Sequence, residues 1–215
     1  MTTALIGNGY WGSKLVKYFR ENSFFELKYI YDSKSKLELD NVQVAVIATP
    51  IDTHYKMIKK ALLSGCHVFT EKPIAKSVKR CKELINLAES LDKKLFVDLT
   101  WTFSRLVKSL GKQDNVEICL KRPLREGADD NDLWRLPPHA LSIIDLMGAK
   151  NYKIDTNHRA NERTSTIKLK DRVVNLDLDS EKDNLKYAVE AFKDVLTGKM
   201  PSNDKIMLEI TKLLT

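Results

Sequence analysis

A chain of 215 residues, 43% hydrophobic and 30% charged, is long enough to bury a core as one domain or two small ones. Its net charge is +7, but its 36 Lys and Arg residues are spread among 29 acids, with no basic tail or aromatic-basic repeat. That pattern reads as a solvated surface and argues against a nucleic-acid partner. No run of about 18 apolar residues is present, so no transmembrane helix is expected. Met1 leads almost directly into the first strand, so no signal peptide is expected either. The three cysteines, Cys66, Cys81 and Cys119, are scattered, odd in number and without metal-ligand spacing. Free thiols, no metal and a reducing cytoplasm are the expectation.

The first predicted strand, 2–6, runs straight into Gly7-Asn8-Gly9-Tyr10-Trp11-Gly12. A strand followed by G-x-G-x-x-G and a helix is the arrangement that a dinucleotide pyrophosphate needs. Gly7 permits the tight turn, Gly9 the close approach of backbone to phosphate, and Gly12 the packing of helix on strand. The helix N-terminus then offers N–H groups and a partial positive charge. Residues 14–20 read as that helix, with Leu15, Val16 and Phe19 on one face. A second strand, 27–31, ends at Asp32, twenty residues after Gly12, where an acid is expected to accept from a ribose hydroxyl. Trp11 is expected to pack beside the cofactor, with its N–H available to phosphate.

Strands and helices then alternate. The nearly continuous apolar run 42–48 predicts a buried parallel strand ending at Thr49-Pro50. A helix is expected over 54–64 with Met57, Ile58, Ala61 and Leu62 inward, a strand over 67–70 closed by Glu71-Lys72-Pro73, a helix over 78–91 and a strand over 95–99. Such a doubly wound sheet binds ligands beyond the carboxyl ends of its strands, where Thr49, Lys72 and Thr100 fall. Asp98 and Thr100 are weaker candidates for lining that pocket.

The pattern changes near Thr100. A short helix is expected over 104–110 and a half-exposed antiparallel strand over 116–121. A polar, acidic loop follows at 125–132. A helix is expected over 141–147, after Pro137-Pro138. A hairpin joins 164–168 to 173–178 around Lys170-Asp171, and helices are expected over 185–196 and 203–214. The second half therefore reads as a small α+β unit.

Taken together, G-N-G-Y-W-G, Ala48-Thr49-Pro50 with Thr53-His54, and Glu71-Lys72-Pro73 after an apolar strand resemble the Gfo/Idh/MocA (glucose-fructose oxidoreductase / inositol dehydrogenase) family. Trp101-Thr102-Phe103 sits where that family enters its substrate domain. His139-Ala140-Leu141 with Ile144-Asp145-Leu146-Met147-Gly148 resembles the helix of its active-site histidine. The turn Leu196-Thr197-Gly198-Lys199-Met200-Pro201 resembles its closing segment. The resemblance implies an NAD(P)-binding Rossmann domain over 1–102, then a shortened α+β substrate or oligomerisation domain with an open antiparallel sheet over 103–215, whose C-terminal helix packs back on the first domain. The implied activity is hydride transfer at a carbinol or keto carbon of a sugar, nucleotide sugar or polyol.

The resemblance makes Lys72 the residue that touches nicotinamide ribose and substrate hydroxyl, and His139 the general base. Gly7, Asn8, Gly9, Tyr10, Trp11, Gly12, Asp32, Ala48, Thr49, Pro50, Thr53, His54, Glu71 and Lys72 form the implied cofactor set. Trp101 and Arg135 face the substrate. Asp32 favours NAD, because its carboxylate would repel a 2′-phosphate, although Ser33, Lys34 and Lys36 leave room for NADP. His54 is expected to cap or pack near the cofactor rather than do chemistry.

Two departures stand out. The chain is shorter than the family, with the loss expected mainly in the substrate-domain sheet, so either that sheet is minimal or another subunit of a homo-oligomer completes the pocket. The family often carries an aspartate four residues before the histidine; here that residue is Arg135. A guanidinium there favours a phosphate or carboxylate on the substrate, with Arg122, Arg125 and Arg159 able to add to it. These departures keep two alternatives open: a cofactor-binding sensor or regulator without turnover, and a Rossmann enzyme acting on a small acid or a tetrapyrrole.

Overall fold

The computed structural model describes residues 1–121, 133–157, 164–175 and 184–215. Two compact units emerge, Met1–Asp98 together with Leu185–Leu213, and Leu99–Asn184.

The first unit is built on five parallel strands: β1 (Thr2–Ile6), β2 (Glu26–Tyr31), β3 (Val44–Ile47), β4 (His67–Glu71) and β5 (Leu95–Asp98), in the order β2-β1-β3-β4-β5. Every residue of β3 and β5 is buried, as expected for parallel strands covered on both faces. The crossovers are α1 (Tyr10–Glu21), α2 (Ile51–Leu63) and α3 (Val78–Ser90). The common dinucleotide-binding order is 3-2-1-4-5-6. Here β2 is an edge strand, and residues 32–43 pass directly from it to β3. Some of the shortening therefore falls in the Rossmann sheet, not only in the second half.

Two further helices, α6 (Asn184–Leu196) and α7 (Asp204–Leu214), belong to this unit almost entirely. Phe192 of α6 is fully buried and meets Phe25, Phe69 and Phe96 at ring-centroid distances of 5.8, 5.6 and 5.5 Å. Burying such a ring contributes about 1.5–3 kcal/mol. Ahead of α7, the Asn203 amide closes the outer edge of β5: Val97 N–H donates to Oδ1 (2.8 Å) and Nδ2 donates to Val97 O (2.7 Å). The side chain reproduces the pairing of an absent sixth strand, which satisfies buried backbone groups and blunts the edge.

The second unit opens with a 3-10 turn (Thr100–Phe103) and α4 (Arg105–Ser109), capped by Ser104, whose Oγ accepts from Val107 N. Its four strands are β6 (Asn115–Lys121), β7 (Asn151–Asn157), β8 (Thr164–Lys168) and β9 (Val173–Asn175), in the order β7-β6-β8-β9. The sheet was expected to be antiparallel and is mixed: β6 pairs antiparallel with β8 but parallel with β7. Strand β7 was not expected, although Tyr152, Ile154 and Thr156 alternate through it. It is reached from β6 through α5 (Pro137–Met147), so the pairing is the parallel one that a crossover helix produces.

Helix α5 begins at Pro137, four residues earlier than expected, because proline suits the first helical position. Leu120 and Ile118 of the sheet share a buried core with Ile143, Ile144 and Met147 of α5. On another row of the sheet Glu117 lies between Lys153 (3.8 Å) and Lys168 (3.0 Å). The polar loop at 125–132 and the end of the expected hairpin strand, 176–178, lie outside the described residues.

Candidate functional site

The turn after β1 is held by backbone. Gly7 adopts φ 98°, a conformation that side chains disfavour, and its N–H donates to Tyr31 O at 2.8 Å. A Cβ at Gly7 would stand 2.6 Å from Ala48 O, and one at Gly12 only 1.9 Å from Gly7 O. These two glycines are required by packing. Gly9 differs: a Cβ there would meet nothing within 4 Å. It stands at the N-cap of α1, where no side chain caps the helix and no acid occupies the first turn. An uncapped helix start beside open space suits an anion, so the residues present fit a dinucleotide pyrophosphate.

Tyr10 and Trp11 are 56% and 41% exposed and meet edge to face at 5.2 Å. Lys14 Nζ lies 4.3 Å from the Tyr10 ring centroid and 4.9 Å from that of Trp11. The aromatic pair thus forms an open rim carrying a cation.

Asp32 follows β2 and is exposed. Its Oδ1 accepts from Ser35 Oγ (2.6 Å) and Lys34 N–H (3.0 Å). Those bonds, the Ser35 hydroxyl foremost, hold its carboxyl below the ordinary range, so it is an anion at neutral pH.

The turns after β3 and β4 are tied together by His54. Helix α2 begins at Ile51, and His54 occupies the inward position one turn before Ile58, deeper than the expected Met57. Its Nδ1 is 2.7 Å from Pro73 O and its Nε2 is 2.8 Å from Thr49 O. A neutral imidazole donates to one of these carbonyls; an imidazolium donates to both. Burial holds the imidazole below its usual pKa, opposed by the two carbonyls, with Lys72 lowering it further and Asp52 raising it. Thr53 Oγ1 donates within the same turn, lying 2.7 Å from both Thr49 Oγ1 and Pro50 O. Ala48 N–H is tied to Ile6 O at 2.9 Å. The A-T-P and E-K-P turns are thereby set by the interior of the sheet.

Glu71 ends β4, and Lys72, half-buried, precedes Pro73 through a cis peptide bond. Asp98 ends β5 directly opposite Glu71 in the register and is fully buried. Glu71 keeps partial exposure as a residue, but its carboxyl is surrounded by protein. Burial and then the Asp98 charge push that carboxyl up to about 8, against the pull of Lys72. The signal for this pair was present in the sequence as two acids closing adjacent predicted strands, but it depends on the register.

In the second unit, Trp101 stacks on His139 with centroids 4.3 Å apart and planes 20° apart. His139 is the third residue of α5; its N–H donates to Leu136 O (3.0 Å) and its carbonyl accepts from Ser142 Oγ (2.8 Å). Trp101 is buried, and His139 and Arg135 are half-buried. Thr100 opens the 3-10 turn that carries Trp101. Arg122, Arg125 and Arg159 lie outside the described residues. Among the described residues, no group of three or more His, Cys, Asp or Glu is placed to hold a metal ion. No described helix is long and apolar enough to cross a membrane.

Residues 34–99 match the family model GFO_IDH_MocA, described as an oxidoreductase family with an NAD-binding Rossmann fold. A protein of Streptococcus pneumoniae serotype 4 described as an uncharacterized oxidoreductase is 32% identical over 100 residues, 38% of this chain and 27% of that one. The chain thus spans little more than a quarter of this curated relative. Among solved structures, UDP-N-acetylglucosamine 3-dehydrogenase GnnA from Acidithiobacillus ferrooxidans superposes with a TM-score of 0.83 at 17% identity, over 100% of this chain and 95% of that one. KijD10, a 3-ketoreductase from Actinomadura kijaniata in complex with NADP and TDP-benzene, superposes with a TM-score of 0.78 at 12% identity, over 100% and 95%. Residues 34–99 thus match the NAD-binding Rossmann model of that oxidoreductase family, and the chain as a whole shares the fold of these solved structures.

Proposed function

We propose that this chain is an NAD-dependent oxidoreductase that moves a hydride to or from a carbinol carbon of a sugar or nucleotide sugar. The observation that carries the reading is the uncapped start of α1 at Gly9, following a Gly7 turn packed against Ala48 and Thr49, with Thr49 in turn linked through His54 to Pro73 of the Lys72 turn. Gly7–Gly12 would hold the pyrophosphate, and Asp32 would accept from the adenosine ribose, its negative charge favouring NAD over NADP. Bound nicotinamide supplies or accepts the hydride. Lys72, as a cation, holds and polarises the substrate oxygen, which lowers the pKa of the reacting hydroxyl. His139 takes the hydroxyl proton, its ring oriented by the Trp101 stack. Arg135 binds an anionic part of the substrate. The likeness in fold to GnnA, a UDP-N-acetylglucosamine 3-dehydrogenase, and to KijD10, a 3-ketoreductase seen with TDP-benzene, supports a nucleotide sugar as the first substrate class to test.

The test is NADH titration by fluorescence, followed by a panel of UDP- and TDP-sugars read at the nicotinamide absorbance band. Turnover of one such sugar is expected, and Lys72→Met should reduce kcat at least 100-fold with NADH affinity within a few-fold of the unsubstituted chain. Unchanged kcat would remove Lys72 from the chemistry. A second reading, a cofactor-binding regulator without turnover, is favoured by one feature: Arg135 stands where a carboxylate would partner the histidine. NADH binding with no turnover across the panel would support it.

A further inference from the structure

Two acids close neighbouring parallel strands in the first unit. Glu71 is the last residue of β4, Asp98 the last of β5, and they are in register. Neighbouring strands lie about 5 Å apart, and in-register residues point to the same side of a sheet, so the carboxyl-bearing side chains leave the sheet together. Asp98 is fully buried. On the other flank, β3 sets Ile47 against Thr70 and contributes no titratable group. The charged groups facing Glu71 are therefore Asp98 from β5 and Lys72 from the turn that follows.

Two carboxyls side by side on neighbouring strands, one of them on a fully buried residue, resist ionising together near neutrality, so the pair keeps a proton. We propose that Glu71 and Asp98 hold a single proton between them at neutral pH and so set the net charge around Lys72. The pair's one negative charge favours the ammonium form of Lys72, whose charge in turn pulls on Glu71. Loss of that shared proton adds a negative charge beside a site that, on the reading above, receives an anionic dinucleotide. Burial and Asp98 push Glu71 up to about 8, so this change falls just above neutrality. The binding consequence rests on the cofactor reading; the shared proton does not.

The experiment uses the full chain in two measurements. The first is the thermal midpoint from pH 5 to 9 for the unsubstituted protein, Glu71→Gln and Asp98→Asn. A carboxyl raised from 4.5 to about 8 on folding gives stability that is complete below 4.5 and lost as pH rises through about 8. The unsubstituted midpoint should therefore fall across this range. Glu71→Gln keeps the shape of a neutral acid and should flatten the fall. Asp98→Asn removes the neighbouring charge and should move the fall toward lower pH. A uniform offset with the slope unchanged in both variants would mean a structural role only and would overturn the proposal.

The second measurement is NADH affinity over the same range. It should weaken several-fold between pH 7 and 9 in the unsubstituted chain and stay flat in Glu71→Gln. No NADH binding at any pH, with the midpoints behaving as expected, would defeat the cofactor reading and leave the pair standing. NADH binding with identical midpoint slopes in all three proteins would do the reverse.

Discussion

The two units hold their candidate residues by different means. In the first, the residues lie on turns at strand ends, and the turns are set by backbone: Gly7 against Ala48, Gly12 against Gly7, and Thr49 and Pro73 joined through His54. In the second, the candidates are side chains at the start of one helix, set by a ring stack and by packing behind α5. A backbone-defined site tolerates few substitutions at its glycines and many at its rim. A site defined by side chains is retuned by changing one of them. The same contrast explains why the sequence likeness is concentrated in the first unit.

The glycines offer the sharpest way to break this comparison. Gly12→Ala forces a Cβ to within 1.9 Å of the Gly7 carbonyl, so strand and helix must separate. A loss of about 1–3 kcal/mol or more in chemical denaturation is expected, with NADH affinity falling at least 100-fold. Gly9→Ala meets open space and should leave stability within about 0.5 kcal/mol while still weakening NADH. Equal stability losses in the two variants would mean that the turn is not set by backbone packing.

His54→Ala should come next. It removes the one N–H that the neutral ring donates to a carbonyl, at about 1–3 kcal/mol for the group left unsatisfied, and loosens the Lys72 turn. Denaturation should show a loss of about 1–3 kcal/mol, and kcat should fall with KM for the cofactor rising. A stable variant with intact kinetics would show that the two turns hold without the clamp.

Trp101→Leu tests the second unit. Aromatic pairing contributes about 0.5–1.5 kcal/mol beyond the area buried, so a modest loss of stability is expected, with a change in the His139 titration followed by NMR. An unmoved His139 titration would mean that the stack does not set its environment.

Asp32→Ala should have the smallest effect. The residue is exposed and its bonds are local, so stability should hold, while NADH affinity falls several-fold and the preference over NADPH narrows. An unchanged ratio of the two affinities would remove Asp32 from the ribose.

Much of the first unit was legible because its signals are local. A strand, a glycine turn and an acid at a set distance report directly on backbone conformation, and the apolar faces of α1 and α3 follow the helical period. Even there, one face was misread: His54, not Met57, takes the inward slot of α2, because its ring sits between the Pro73 and Thr49 carbonyls, a partnership that no periodicity rule sees. In the second unit β7 escaped notice, and with it the parallel pairing to β6, because seven residues rich in Asn, Lys and Asp advertise a loop until a neighbouring strand takes up their hydrogen bonds.

By itself the sequence determined the order of the elements in the first unit, the glycine turn and the identities of the residues at that unit's strand ends, since these follow from side-chain chemistry and short-range periodicity. The tertiary structure alone decided what those residues meet. It set Glu71 opposite Asp98, placed β2 on an open edge, folded Phe192 into the first unit's core and used the Asn203 amide to close β5. Each is a contact between segments distant along the chain, and such contacts depend on strand register and on the burial of apolar surface, which no local pattern encodes.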